Sequence, residues 1–376
     1  MKRMFQFSVA RNHVAVAVVA GLVWFGCTRD QREPTGPINP PPSPSVQRAQ
    51  QPDLGPAIAA QERHTERLLA ISGVVGTAVG LTADGRPAIK VFTKAAGLSG
   101  LPDNLEGVPV EAQVTGEFFA KPTQRSTSDG EAASSCTPST CTNTDVWPLP
   151  VPIGVSTSSN AILRGYCFAG TIGARVKAGT NVYALSNNHV YALENTVAVG
   201  TDVLQPGLAD TQCSPTGSNS IGTLSKYAPI AFCKGRRCPN NTIDAAIAAS
   251  PTGNLGNSTP SGYGTPGSTT VSASVGQPVQ KYGRTTSLTT GQVTGINATV
   301  LISYMTGTAR FVNQIVVGSC TSTCIGAGDS GSLLVTNDAS ANPVGLLFAG
   351  NNSGSMAIAN QIGDVLSYFT VTIDGK

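Results

Sequence analysis

From about residue 151 onward the chain breaks into short apolar runs separated by Gly, Asn, Thr and Pro. The runs fall at 170–176, 181–185, 243–248, 279–282, 291–302, 311–317, 332–335 and 344–349, and no long helical period interrupts them before residues 361–369. Runs of that length between turn formers are strands, because a helix needs a longer apolar stripe at three- and four-residue spacing. The segment therefore predicts an all-β sandwich or barrel of about 225 residues, enough to bury two cores. Composition agrees. Only 12% of residues are charged, with 42 Gly and 25 Pro, which is too apolar for disorder and too turn-rich for a helical bundle. The net charge of +3 is small and unclustered, so nucleic acid is not expected as a partner.

The first 150 residues read differently. Lys2, Arg3 and Arg11 precede an uncharged stretch over residues 14–25, too short to span a bilayer but suited to the core of an export signal. Gly26-Cys27 follows and resembles the site at which bacterial lipoproteins are cleaved and acylated, with Trp24 where Leu is usual. Residues 1–27 are thus expected to be a signal peptide of the lipoprotein type, with Cys27 acylated; ordinary secretion is the alternative. Localisation would be the cell envelope or the exterior, with membrane contact only through that anchor. Residues 28–56 are Pro-rich and read as a spacer. Residues 57–122 predict a small α/β domain, with a helical pattern at 57–71, strands at 74–81, 88–93 and 108–114, and an Asp84-Gly85 hairpin turn. Residues 123–150 read as a Ser/Thr-rich linker, and 151–376 as the β domain.

Cysteine usage points the same way as the export signal. Apart from Cys27 there are eight: Cys136, Cys141, Cys167, Cys213, Cys233, Cys238, Cys320 and Cys324. Three close pairs stand out (136/141, 233/238 and 320/324), which leaves 167/213. No His or second ligand pair lies at zinc-finger spacing, so disulfides in an oxidising compartment are favoured over metal. Spacing alone does not fix the connectivity.

The sharpest chemical signal is Gly326-Ala327-Gly328-Asp329-Ser330-Gly331-Ser332, followed by Leu333-Leu334-Val335. A nucleophilic Ser needs an accessible hydroxyl, and its N–H must point at the developing oxyanion; flanking Gly lets substrate backbone approach. An ordinary turn would read the same in isolation. Histidine tips the balance. Of three, His13 lies in the signal sequence and His64 in the N-terminal helix, whereas His189 follows the apolar run 182–185 in the β domain. A Ser nucleophile requires a base, and His189 is the candidate. Between His189 and Asp329 the carboxylates are Glu194, Asp202, Asp210 and Asp244, and only Asp244 lies inside a small apolar segment, Ile243-Asp244-Ala245-Ala246-Ile247. A partly buried carboxylate needs compensating donors, which an imidazole N–H supplies while fixing its tautomer.

The order His189, Asp244, Ser330, with Asp-Ala-Ala-Ile-Ala and Gly-Asp-Ser-Gly, resembles the trypsin/chymotrypsin superfamily. Residues 279–286 (Val-Gln-Lys-Tyr-Gly-Arg-Thr-Thr), running on to Gly291-Gln292-Val293, are similar to the streptogrisin and α-lytic branch of bacterial members. Residues 184–190 and 343–350 resemble a bacterial subgroup related to the plant narrow-leaf protein. The resemblance covers about residues 151–370. It implies a chymotrypsin-like fold, a double six-stranded β-barrel, here preceded by the small α/β domain. It implies a serine endopeptidase acting on protein or peptide substrates without a cofactor or metal. Gly328 and Ser330 N–H groups would form the oxyanion hole, Phe348, Ala349 and Gly350 would line the substrate backbone and the specificity-pocket wall, and Arg284 would pair with Asp329. The sequence departs from the pattern at Phe348, where a Ser usually supports the triad acid, at Asn188 for a small Ala, and at Ser332 for a Gly. A catalytically weak or inactive surface-binding or scaffolding protein on the same fold is the second reading. Cys324 stands where trypsin-like members carry an acid, so an uncharged side chain is expected on the acyl side of the cut.

Overall fold

The computed structural model describes residues 52–126, 135–235 and 237–376. The expected signal peptide, Cys27 and nearly all of the Pro-rich spacer lie outside these residues. Gln51–Lys376 form one compact unit.

Two closed antiparallel barrels dominate it. In the first, Ser156–Ser159 pairs with Tyr166–Thr171, which bends at Gly173 into Ala174–Ala178. The ring continues through Asn181–Ser186, Ala246–Ser250, Asn219–Tyr227 and Asp202–Gln205, and the last of these returns to Ser156–Ser159. Counting the bent strand once gives six staves. The second barrel runs Pro278–Gly283, Ser287–Ser303, Thr308–Gly318, Ala357–Gln361, Pro343–Asn351 and Leu333–Thr336, closing back onto Pro278–Gly283. This is the double six-stranded barrel expected from the motifs.

Period-two alternation explains how one strand serves two cores. In Asn181–Ser186, Val182 and Ala184 point into the first barrel with Val155, Val203, Ile221 and Leu224. Leu185 points out, into a second cluster with Ile243, Ile247, Leu333, Val335 and Leu346. That cluster draws residues from both barrels and is capped by the helix Ile362–Phe369, whose Ile362, Val365, Leu366 and Phe369 form one apolar stripe. The interface between barrels is therefore apolar core, which holds the facing loops in fixed register.

The N-terminal elements match the expected pattern closely: a helix Gly55–Leu69 and strands Val74–Leu81, Pro87–Thr93 and Val108–Val114. Their sheet is continuous with the second barrel, because Val74–Leu81 pairs antiparallel with the long strand Ser287–Ser303. The linker expected from residue 123 departs from the sequence reading. Thr123–Ser126 is a strand paired antiparallel with Tyr166–Ala169 of the first barrel, and Trp147 enters that barrel's core. Disulfides join 136/141, 167/213, 233/238 and 320/324, as an oxidising compartment allows.

Candidate active site

The three residues singled out in sequence converge at the seam between the barrels. His189 sits in the short helix Asn188–Tyr191 at the end of Asn181–Ser186. Asp244 lies just before Ala246–Ser250, beside that same strand. Ser330 lies in the loop entering Leu333–Thr336 of the second barrel. His189 Nδ1 and Asp244 Oδ2 are 2.6 Å apart, and the His189 main-chain N–H donates to Asp244 Oδ1 at 3.2 Å. Asp244 is fully buried and His189 is 2% exposed, so the carboxylate depends on these donors.

The seam is clamped by main chain from both barrels. Thr171 N–H donates to the Ser330 carbonyl at 2.8 Å, and Thr171 Oγ1 donates to the Gly328 carbonyl at 2.8 Å. The approach is close enough that a Cβ at Gly173 would overlap the Gly331 carbonyl oxygen. Gly328 adopts φ +99°, a conformation that glycine takes without strain and that turns its N–H toward the cleft.

Asp244 has a further partner that sequence reasoning did not identify. Tyr304 Oη donates to Asp244 Oδ2 at 2.8 Å. Phe348, where the family pattern has a hydroxyl, instead packs its ring at a tilt against Phe311 in the apolar core. Burial first, and then the neighbouring Asp244 charge, holds the Tyr304 hydroxyl well above the ordinary tyrosine pKa, so it stays a donor. The turn that carries Tyr304 is held by Glu194, whose two carboxylate oxygens accept the N–H groups of Met305 and Thr306 at 3.0 and 2.8 Å. Asn360 and Asn187 complete the set, Asn360 accepting from Asp244 N–H at 3.0 Å and Asn187 donating to the Asp244 carbonyl at 2.7 Å. The missing hydroxyl at Phe348 was the sequence signal that such a substitute had to exist.

The expected Arg284–Asp329 pair does not form. Arg284 pairs through Nε and Nη2 with Asp210, the Nε bond being 2.9 Å. Asp329, fully buried, is satisfied locally, by Thr285 N–H at 2.8 Å, Thr286 Oγ1 at 2.6 Å and Gly326 N–H at 2.8 Å, with Lys281 Nζ 3.3 Å away. With its lone pairs taken by Thr285, Thr286 and Gly326, Asp329 has no room for a guanidinium, and the fork goes to Asp210. Burial lowers the Lys281 pKa, against the opposing pull of Asp329.

The cleft is occupied. Phe118–Ala120 adds to Pro343–Asn351 as an antiparallel strand, with Ala120 opposite Ala349 and Phe119 opposite Gly350. Its other edge runs parallel to Ile302 and Ser303. Lys121 N–H donates to the Phe348 carbonyl at 3.4 Å, and the Lys121 carbonyl accepts the Gly328 N–H at 2.6 Å. Ser330 Oγ donates to the Phe348 carbonyl at 3.3 Å, while His189 Nε2, though buried, has no hydrogen-bond partner among the described residues. Ala349 is buried, and Ile325 packs against Gly350 where the specificity pocket was expected.

Residues 253–374, spanning the second barrel and the C-terminal helix, match the family described as the Nal1 C-terminal domain. Among solved structures, protease A of Thermobifida fusca is 20% identical and aligns over 60% of this chain and 100% of its own, with a TM-score of 0.42. Nocardiopsis protease is 18% identical over 59% of this chain and 99% of its own, TM-score 0.41. Cellulomonas bogoriensis chymotrypsin is 21% identical over 60% and 99%, TM-score 0.40. No curated protein matches the chain.

Proposed function

We propose that this chain is a serine endopeptidase that cleaves peptide bonds through an acyl-Ser330 intermediate. The observation that carries the reading is the peptide carbonyl seated on the Gly328 N–H at 2.6 Å, in the loop that carries Ser330 and at the seam that also holds the buried His189–Asp244 pair. A peptide already lies where a reacting carbonyl would need to be polarised. In the reaction, Ser330 Oγ bonds to the carbonyl carbon as His189 Nε2 takes its proton. The C–N bond then breaks, His189 returns the proton to the leaving nitrogen, and water hydrolyses the ester by the same route. Asp244 fixes the imidazole tautomer through the 2.6 Å contact. Gly328 and Ser330 N–H groups bind the oxyanion. Phe348, Ala349 and Gly350 bind substrate backbone by strand addition, and Ile325 against Gly350 favours small uncharged side chains on the acyl side.

The test is digestion of a mixed peptide library, read by mass spectrometry. It uses the chain as it stands and a variant with residues 119–123 replaced by Gly and Ser to free the cleft. We expect cleavage by the freed chain, lost on adding Ser330→Ala and lowered by orders of magnitude with His189→Ala or Asp244→Asn. Cleavage unaffected by Ser330→Ala contradicts the assignment, and dominance of Arg, Lys or Glu sites contradicts the pocket. A second reading, a strand-binding or scaffolding protein without turnover, is favoured by one observation: Ser330 Oγ engages the Phe348 carbonyl rather than His189. It predicts peptide binding with no cleavage by either chain. We also propose export with acylation at Cys27; the intact mass of the mature protein decides it, a chain beginning elsewhere without lipid being the contrary result.

A further inference from the structure

We infer that residues 118–126 are a built-in occupant of the cleft, held in substrate direction and protected from cleavage by Pro122. The segment passes along the whole seam. Upstream of Lys121 it pairs with the second barrel through Phe118–Ala120, and downstream it pairs with the first through Thr123–Ser126, opposite Tyr166–Ala169. Between these two strands stands the Lys121 carbonyl on the Gly328 N–H, followed at once by Pro122. One extended peptide thus uses both barrels with its carbonyl at the oxyanion donor.

The stretch is anchored beyond its backbone. Phe118 is fully buried, with its ring edge-on to Phe92. Thr123 Oγ1 donates to the Ala327 carbonyl at 2.9 Å and accepts from Arg284 Nη1 at 2.9 Å. The Arg284–Asp210 pair therefore holds the occupant as well as the loop. Lys121, at the position whose side chain would enter a specificity pocket, instead lies with Nζ 6.0 Å from the centre of the Phe119 ring. Ile325 already packs on Gly350, and a buried ammonium would need a carboxylate there.

Acylation here would join Ser330 Oγ to the Lys121 carbonyl carbon, break the Lys121–Pro122 bond, and pass the serine proton through His189 to the Pro122 nitrogen. That nitrogen carries Cδ in place of hydrogen, and the ring crowds both it and the preceding residue. Proton delivery is hindered and the bond persists. Because the occupant is tethered, its local concentration is on the order of millimolar, far above a dilute substrate. Turnover then requires the strand to leave. The occupancy rests on the geometry above, and only its resistance to cleavage rests on the peptidase reading.

Two measurements test the two parts separately. In a Ser330→Ala background, a fluorescein-tagged peptide with the sequence of residues 118–126 is titrated by anisotropy against the intact chain and against the variant with Gly and Ser at 119–123. Phe118 is kept so that its core contact survives. The freed chain should bind at least tenfold more tightly than the intact one. Equal affinity, or no binding by either, overturns the inference, and Lys121→Pro, which removes one N–H and leaves side chains outside the core, guards against misfolding by giving an intermediate affinity. With Ser330 intact, Lys121→Ala combined with Pro122→Ala, which places an acyl-side residue suited to the uncharged pocket, should cut itself after position 121, whereas Lys121→Ala alone should not, nor should the double variant with Ser330→Ala. An uncut double variant beside a freed chain that digests peptides overturns the protective role of Pro122. If no chain digests peptides, the peptidase reading fails and the anisotropy result still decides occupancy.

Discussion

Tyr304 donates its hydroxyl to the Asp244 carboxylate at 2.8 Å. That bond places a positive dipole end on the carboxylate and so reduces the negative potential that Asp244 exerts on His189. Removing it strengthens that potential, which favours the imidazolium. In the cleft-freed chain, Tyr304→Phe should therefore move the acid limb of the kcat/KM–pH profile to higher pH. It should also lower kcat/KM by about tenfold, the scale of one hydrogen bond to a charged group. A lower kcat/KM with an unmoved limb would mean that Tyr304 acts only by packing. Ser330, His189 and Asp244 could be picked out as candidates because each sits in a short local signature: a Gly-flanked Ser, the only His of the β domain, and an acid inside a small apolar segment. Tyr304 could not, because a tyrosine between two apolar strands reads as core, and its contact with Asp244 spans 60 positions of chain. Arg284 was legible as an ion-pair partner but was matched to the wrong acid, since the backbone N–H groups that satisfy Asp329 leave no sequence trace.

At the scale of elements, periodicity located strands and helices to within a few residues, as at 74–81, 108–114 and the C-terminal stripe Ile362, Val365, Leu366 and Phe369. It did not reveal their partners. Strand pairing joins segments far apart in sequence, so the edge that Val74–Leu81 shares with Ser287–Ser303 was invisible, as was the strand at Thr123–Ser126. The polar composition of that last strand reads as loop; it is half-buried and its pairing, not its side chains, keeps it in place. The docking of the N-terminal helix also has a charge component. Arg63 and His64, on Gly55–Leu69, both engage Glu106, His64 Nε2 at 2.9 Å. Principally through its bonds from Arg63, the Glu106 carboxyl is lowered from 4.5 to about 2. A depressed carboxylate stabilises the fold above its unfolded value, and that contribution is lost as pH falls toward the folded one. The stability difference between wild type and Glu106→Gln, measured by urea unfolding, should favour wild type at pH 5 and shrink as pH falls from about 4.5 to 2. Because the pair is exposed, the difference should be small and should diminish with salt. A gap that is constant across this window would remove Glu106 from the docking.

For the whole molecule, short apolar runs between turn formers pointed to an all-β domain from about residue 151, large enough for two cores, and left sandwich and barrel both open. The seam is where the sequence said least. The shared cluster of Leu185, Ile247, Leu333, Val335 and Leu346 fixes the barrels, and the cleft they leave is filled by a segment that composition assigned to the end of one domain and the start of a linker. Closure places Ser330 at 0% exposure, so the state described here is a guarded one, and reactivity has to be measured against the occupant. The proposed role of Ser330 as a nucleophile activated at this seam can be checked by reaction with a fluorophosphonate, the adduct being located by peptide mass mapping. A phosphonyl group should form on Ser330 rapidly in the variant with Gly and Ser at 119–123, at least tenfold more slowly in the intact chain, at a much reduced rate after His189→Ala, and not at all after Ser330→Ala. A freed chain that folds, binds the 118–126 peptide and still leaves Ser330 unlabelled would contradict it.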